Sequence, residues 1–239
     1  MRKLLAAFVL AATLMLPVPA AHAATPRFQI RCNTSHLAQV DPIVSPGTRS
    51  AHMHEFFGNT ATNANSTYRS MVAGGTTCTA PADTAGYWVP TLISPGGQAV
   101  RARTILLYYR GVQGARTVAF PANLRMVSHN SQVGGASSSN LTIKFPSCWD
   151  GVHIDSADHI SHMANATGQG CPRSHPVRVP ALTIVVRYPI QSVSGYRLSS
   201  GPLSSLHADF WNTWRQPGLE ELVARCLNDS TRSCPRIDG

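Results

Sequence analysis

Three short segments hold the side chains with the most chemical potential. Ser50–Asn59 (SAHMHEFFGN) sets His52 and His54 two apart, with Glu55 following. Extended backbone turns alternate residues to one side, so these imidazoles would project together as half of a metal site. Phe145–Pro176 (FPSCWDGVHIDSADHISHMANATGQGCPRSHP) packs Asp150, Asp155, Asp158, His153, His159, His162 and His175 around Trp149. Those 32 residues hold four of the ten histidines and three of the eleven acids in a chain that is 13% charged. Loops generally manage with Gly, Ser and Asn, so this concentration reads as the floor of a site. His159 and His162 would share one face of a helical turn. The third segment brings His207 and Asp209, again two apart.

These residues support two chemistries. In the first, a metal takes three or four ligands from His52, His54, His159, His162, His207 and Asp209. Zinc suits such nitrogen and oxygen donors, and copper suits imidazole equally. Asp158 would orient a histidine from behind. In the second, two carboxylates, with Asp150 and Asp209 the leading pair, flank a glycosidic bond as acid and base or nucleophile. His207 and its neighbours would then tune the carboxylates, while Trp149 and Trp211 stack on sugar rings. Tyr87 and Trp88 offer a further stacking platform or core packing, the commoner role of such a pair. A third reading is a hydrogen-bonded network that staples irregular loops, the role expected of His175. Ser161 lies beside two histidines, but no G-x-S-x-G elbow surrounds it, which argues against a serine hydrolase.

The elements that must position these groups follow an export signal. Arg2 and Lys3, an apolar run from Leu4 to Leu16 and Ala21-His22-Ala23 read as a signal peptide over residues 1–23. No later stretch has the length of a membrane span. Residues 24–239 form one expected domain, and the protein is expected outside the cell, as a monomer. Export makes six cysteines a disulfide set: Cys148–Cys171 and Cys226–Cys234 by proximity, and Cys32–Cys78 by elimination. The formal charge of +9 falls to +7 when Arg2 and Lys3 leave. Every remaining basic residue except Lys144 is then an arginine. These arginines are scattered without aromatic interleaving, which argues against a nucleic-acid groove; a solvated basic surface is the leading reading, and attraction to an anionic cell wall or acidic polysaccharide the other. Sequons at Asn33, Asn65, Asn140 and Asn165 mark expected surface loops.

RFQIRC (27–32), GYWVPTLI (86–93), RARTILLYYR (101–110), LTIKF (141–145) and VRVPALTIVVRYPI (177–190) read as strands, the last broken at Pro180. Pro90 demotes its strand to an edge or a bulge. TVAFPANLRMVS (117–128) is a broken strand around Pro121. Residues 208–228 place Phe210, Trp214, Leu219, Leu222, Val223 and Cys226 at helical spacing. Pro217-Gly218 divides them into two short helices. The predicted fold is mainly β, α+β at most: one sandwich-like or distorted-barrel domain with long loops and short C-terminal helices.

The order DPIVSPG, S-x-H-x-H, YW-x-P-x-L, FP-x-CWDG, DH-x-SHM, CP-x-SHPV and L-H-x-DF-x-N-x-W resembles the DUF1996 family, secreted proteins of fungi and actinomycetes named for a domain of unknown function. The likeness runs from about Asp41 to Cys226, with Asn165 where relatives tend to carry an aromatic residue. Relatives often bear appended carbohydrate-binding modules, so the resemblance implies polysaccharide or cell-wall substrates. No such module is expected in residues 24–239. The expectation is a secreted protein acting on extracellular carbohydrate, with glycosidic-bond cleavage in a His/Asp-lined cleft. The alternative is a non-catalytic metal- or glycan-binding module.

Overall fold

The structure, a computed structural model, describes residues 25–112, 115–133, 138–229, 234 and 236–237; the expected signal peptide lies outside the described residues. In chain order the strands are β1 (Arg27–Cys32), β2 (Thr34–Val40), β3 (Arg49–Gly58), β4 (Gly86–Pro90), β5 (Leu92–Ile93), β6 (Ala99–Val100), β7 (Thr104–Arg110), β8 (Arg125–Ser128), β9 (Ser131–Val133), β10 (Asn140–Lys144), β11 (Cys148–Trp149), β12 (Met163–Ala164), β13 (Val177–Arg178), β14 (Ala181–Arg187), β15 (Arg197–Leu198), β16 (Ala208–Trp211) and β17 (Arg236–Ile237). Helix α1 (Tyr68–Val72) precedes β4, and α2 (Gln216–Leu222) follows β16, running into a π-helical turn at Val223–Asn228.

Two larger sheets dominate. One has the order β17-β1-β7-β14-β10-β9 and the other β2-β3-β4-β16-β8. Inward side chains of both share one core: Phe28, Leu107, Tyr109 and Ile184 from the first, Phe57, Tyr87, Met126 and Phe210 from the second. The architecture is mainly β and sandwich-like, and among the described residues neither sheet closes into a barrel. A hydrogen-bond chain crosses between the layers. Trp214 Nε1 donates to Tyr109 Oη (3.2 Å), the Tyr109 and Tyr87 hydroxyls are 2.5 Å apart, and Tyr87 Oη donates to the buried Asp83 carboxylate (3.0 Å). Burial pushes Asp83 up to about 8, against the pull of Tyr87 and the Ala85 amide.

The five-stranded sheet is covered on both faces. Its period-two alternation sends Phe57, Tyr87 and Phe210 to the main core. Phe56, Trp88, Val127 and Trp211 go to a second cluster with Ile43 and Met71. That second face carries the site.

Three sequence expectations change. Ala208–Trp211 is a strand, because it pairs with β4 on one side and β8 on the other and both its faces are buried. Phe210 and Trp214 satisfied a helical spacing that tertiary pairing overrode. Helix begins only at Gln216, with Pro217 in its first turn, where a missing N–H costs nothing. β4 is an interior strand; Pro90 is tolerated because it stands at the strand's end, beyond the register with β16. The 117–128 segment is ordered strand only over Arg125–Ser128. The disulfides are Cys32–Cys78, Cys148–Cys171 and Cys226–Cys234, as the spacing indicated.

Candidate metal centre

β4 lies between β3 and β16 and pairs with both. His54 is opposite Pro90, and Trp88 is opposite both Phe56 and Asp209. Period two therefore lifts His52 and His54 from β3, and His207 and Asp209 around the start of β16, onto the same outer face. A fifth group arrives from the turn after β2. Asp41 Oδ1 accepts the Ile43 and Val44 amides (both 3.0 Å), and its Oδ2 faces His54 Nε2 at 3.9 Å.

The donor atoms converge. His52, His54 and His207 each offer a ring nitrogen within 4.8 Å of the others, and Asp41, His54 and Asp209 form a second such group that shares His54. His52 Nε2 and His207 Nε2 are 3.3 Å apart. Backbone carbonyls fix two of the tautomers: His54 Nδ1 donates to Val40 O and His207 Nδ1 to Ser205 O, both at 2.9 Å. Each Nε2 therefore presents a lone pair, the arrangement that prepares an imidazole for a metal. His54 Nε2 and both Asp209 carboxylate oxygens are buried with no hydrogen-bond partner.

Electrostatics keeps the imidazoles neutral. Burial, then the neighbouring His52 and His207, lowers His54 to about 3, against the bond to Val40. Burial lowers His207 to about 4 and also depresses His52, which Asp41 partly opposes. Burial raises Asp41, and burial together with Asp41 raises Asp209 well above the usual carboxylate range. The unpartnered Asp209 carboxyl, buried beside neutral imidazoles, is costly in the bare protein and is what a divalent cation relieves. Three nitrogens and two carboxylates fit a borderline divalent ion such as zinc or copper. The third His/Cys/Asp grouping among the described residues, Cys32 and Cys78 with Asp83, has its thiols consumed by a disulfide.

The other expected site residues are placed differently. His162 is buried with both nitrogens engaged, Nδ1 with Ser156 Oγ (2.8 Å) and Nε2 with Arg125 O (2.7 Å), so it pins the loop to β8 instead of ligating. His159 holds Asp155 through Nδ1 (2.8 Å). Asp158 Oδ1 accepts from Ser156 Oγ and the Ile160 and Ser161 amides. The Ser161 amide is first among the groups that hold it below its usual range. Asp150 Oδ1 accepts the Val152 and His153 amides, and Oδ2 meets His153 Nδ1 at 2.6 Å. Burial works to raise Asp150, but these bonds prevail and hold it at about 2. Asp150 is thus engaged within its own turn, whereas both Asp209 oxygens lack a partner. Glu55, pointing to the opposite face, accepts from Thr34 Oγ1 and the Ala102 amide, and burial pushes it up to about 7.

The stacking platforms are corrected. Tyr87 and Trp88 are completely buried and Trp211 nearly so, because each lies on a strand with neighbours on both sides and cover on both faces. Arg125 covers the Trp211 ring at 4.4 Å. Trp149 is half-buried, donates Nε1 to His153 O and lines a separate cavity with Pro121 and Gln216. Asp41 escaped sequence reading because Asp-Pro before a Pro-Gly loop reads as turn chemistry; its one signal was proximity to the H-x-H pair. His129, exposed with its ring 5.5 Å from His207, was also missed.

The family model described as a domain of unknown function, DUF1996, matches residues 41–139 and 129–214, a span that contains all five clustered residues. No curated protein and no solved structure matches the chain.

Proposed function

The chain belongs to the DUF1996 family, and from that premise we propose that it is a metal-dependent extracellular protein that cleaves a carbohydrate polymer. The observation that carries the metal reading is the meeting of buried, unpartnered donors, His54 Nε2 and the Asp209 carboxylate, with the paired Nε2 atoms of His52 and His207. His52, His54, His207, Asp41 and Asp209 would hold the ion. A divalent ion there supplies Lewis-acid polarisation of a bound water or substrate oxygen. Val40 O and Ser205 O keep the ligating nitrogens aimed, and β4 holds the two ligand-bearing strands at fixed separation.

His52 and His207 are half-buried and His129 is exposed beside them, so this edge of the cluster is where a substrate would approach. Three disulfides and the expected signal peptide support export, and no described helix is long and apolar enough to cross a membrane. The saccharide class rests on the family resemblance and its association with carbohydrate-binding modules; no residue of the cluster demands it. A pure two-carboxylate mechanism has less support, since Asp150 is committed to His153 and the turn that follows it.

Elemental analysis of the mature protein, beside a His54→Ala/His207→Ala variant, tests the centre. Near-stoichiometric zinc or copper in the wild type, absent from the variant, is expected. A wild type that stays metal-free after incubation with zinc, copper and manganese overturns it. Release of reducing ends from a polysaccharide panel then separates the two chemistries. The metal reading expects loss of activity in Asp209→Asn and its retention in Asp150→Asn, whereas a carboxylate pair loses activity in both.

A further inference from the structure

A second feature lies on the six-stranded sheet, which contributes nothing to the metal cluster. Where β7 begins and β14 ends, the Arg103 amide donates to Arg187 O (2.7 Å), which brings these two arginines side by side at the sheet's end. Both are exposed, and they line a cavity of about 470 Å³ with Ser139, Asn140, Pro189 and Gln191. Among the described residues no carboxylate pairs with either guanidinium. Arg125 and Arg225, by contrast, each have an acidic partner.

We propose that this cleft binds the carboxylate of a uronic-acid unit in an acidic polysaccharide. Two arginines lining one cavity suit a carboxylate, because the planar N–H fork of a guanidinium engages both its oxygens and loses less hydration than an ammonium would. The volume falls within the range of small-ligand pockets and suits one or two sugar units. Hydroxyl and amide groups from Ser139, Asn140 and Gln191 are the partners that sugar hydroxyls require, and the Pro189 ring offers an apolar contact for a pyranose face. A mature chain of net charge +7 adds long-range attraction to a polyanion. The proposal is independent of the metal centre and stands or falls without it.

The test is calorimetric titration of the mature protein with a galacturonate tetramer at about 150 mM salt, where general charge attraction is screened. The fully methyl-esterified tetramer serves as the neutral comparison. Arg103→Ala/Arg187→Ala should weaken binding at least about tenfold, since each lost ionic hydrogen bond weighs heavily. A variant of equal charge, Arg69→Ala/Arg173→Ala, should stay within about twofold of wild type. Esterification should weaken binding as much as the cleft variant does. Equal losses in the two double variants would make the attraction one of net charge and overturn the cleft. So would equal affinity for the ester, or no binding by the wild type at millimolar tetramer.

Discussion

Replacing Asp209 with asparagine should separate the role of this carboxylate in metal binding from any role in the fold. In the metal-free protein burial, then Asp41, raises the Asp209 pKa well above the ordinary carboxylate range, which favours the neutral carboxyl. Asparagine is neutral and of the same size, and neither carboxylate oxygen has a hydrogen bond to lose. The melting temperature in EDTA should therefore move by no more than about 3 °C, equivalent to roughly 1 kcal/mol for a domain of this size. With metal the two proteins should diverge. An ion at about 100 times its Kd stabilises the wild type by about 2.7 kcal/mol, a rise of about 5–11 °C. Loss of even a supporting partner weakens metal sites by about 10–100-fold, and a carboxylate ligand should count for at least that. At the same metal concentration the variant would keep only about 0.4–1.4 kcal/mol, or about 1–6 °C. Differential scanning calorimetry in EDTA, zinc and copper reads both numbers. A variant that shows the full wild-type rise would refute the assignment of Asp209, and a wild type indifferent to every metal would refute the centre itself.

His162→Ala should lower stability by about 1–3 kcal/mol, because Arg125 O loses its partner inside the protein, yet leave metal content unchanged; calorimetry with elemental analysis checks both. Asp83 and Glu55 bind protons more tightly folded than unfolded, with folded values of about 8 and about 7. Their contribution is therefore greatest below the unfolded carboxylate range and declines as pH rises to about 8, with a slope of up to about 1.4 kcal/mol per pH unit for each group. The depressed His54 and His207 work the other way below about pH 6.5, so the melting temperature should fall between about pH 7 and 8, and Asp83→Asn, which can still accept from Tyr87, should flatten that fall. Gly58→Ala should destabilise by about 1–3 kcal/mol in urea unfolding: φ is +74° there, and a Cβ would collide with Ala85 O.

The parts of this protein that could be read from its sequence are those where one period dominates. H-x-H and H-x-D each put two candidate ligands on one side of an extended chain, and both segments are extended enough for that geometry to hold. Aromatic residues were harder to place, since Tyr87, Trp88 and Trp211 look alike whether a strand is covered on one face or on two. Only the assembled sheet, with Ile43 and Met71 closing its outer face, shows that they are interior. The helical spacing of Phe210 and Trp214 misled for a related reason: a four-residue strand followed by a turn offers too few residues to distinguish the two periods. The Asp150–His162 segment drew attention by composition, but its acids and histidines mostly bond within the segment or to β8. That tie is invisible without knowing that Arg125 O and the Val127 amide face the loop.

The placement of β4 between β3 and β16 also bears on when the site comes into being. His52 and His54 lie 11 and 13 positions from Asp41 in the chain, but His207 and Asp209 must cross about 150 positions to join them. The shared middle strand has to be in place before the second half can dock. Contacts of such separation form late in folding, after the entropy of a long loop has been overcome. Asp41 and the H-x-H pair can at most hold an ion weakly on the unfinished chain, so tight metal capture is a property of the finished sheet.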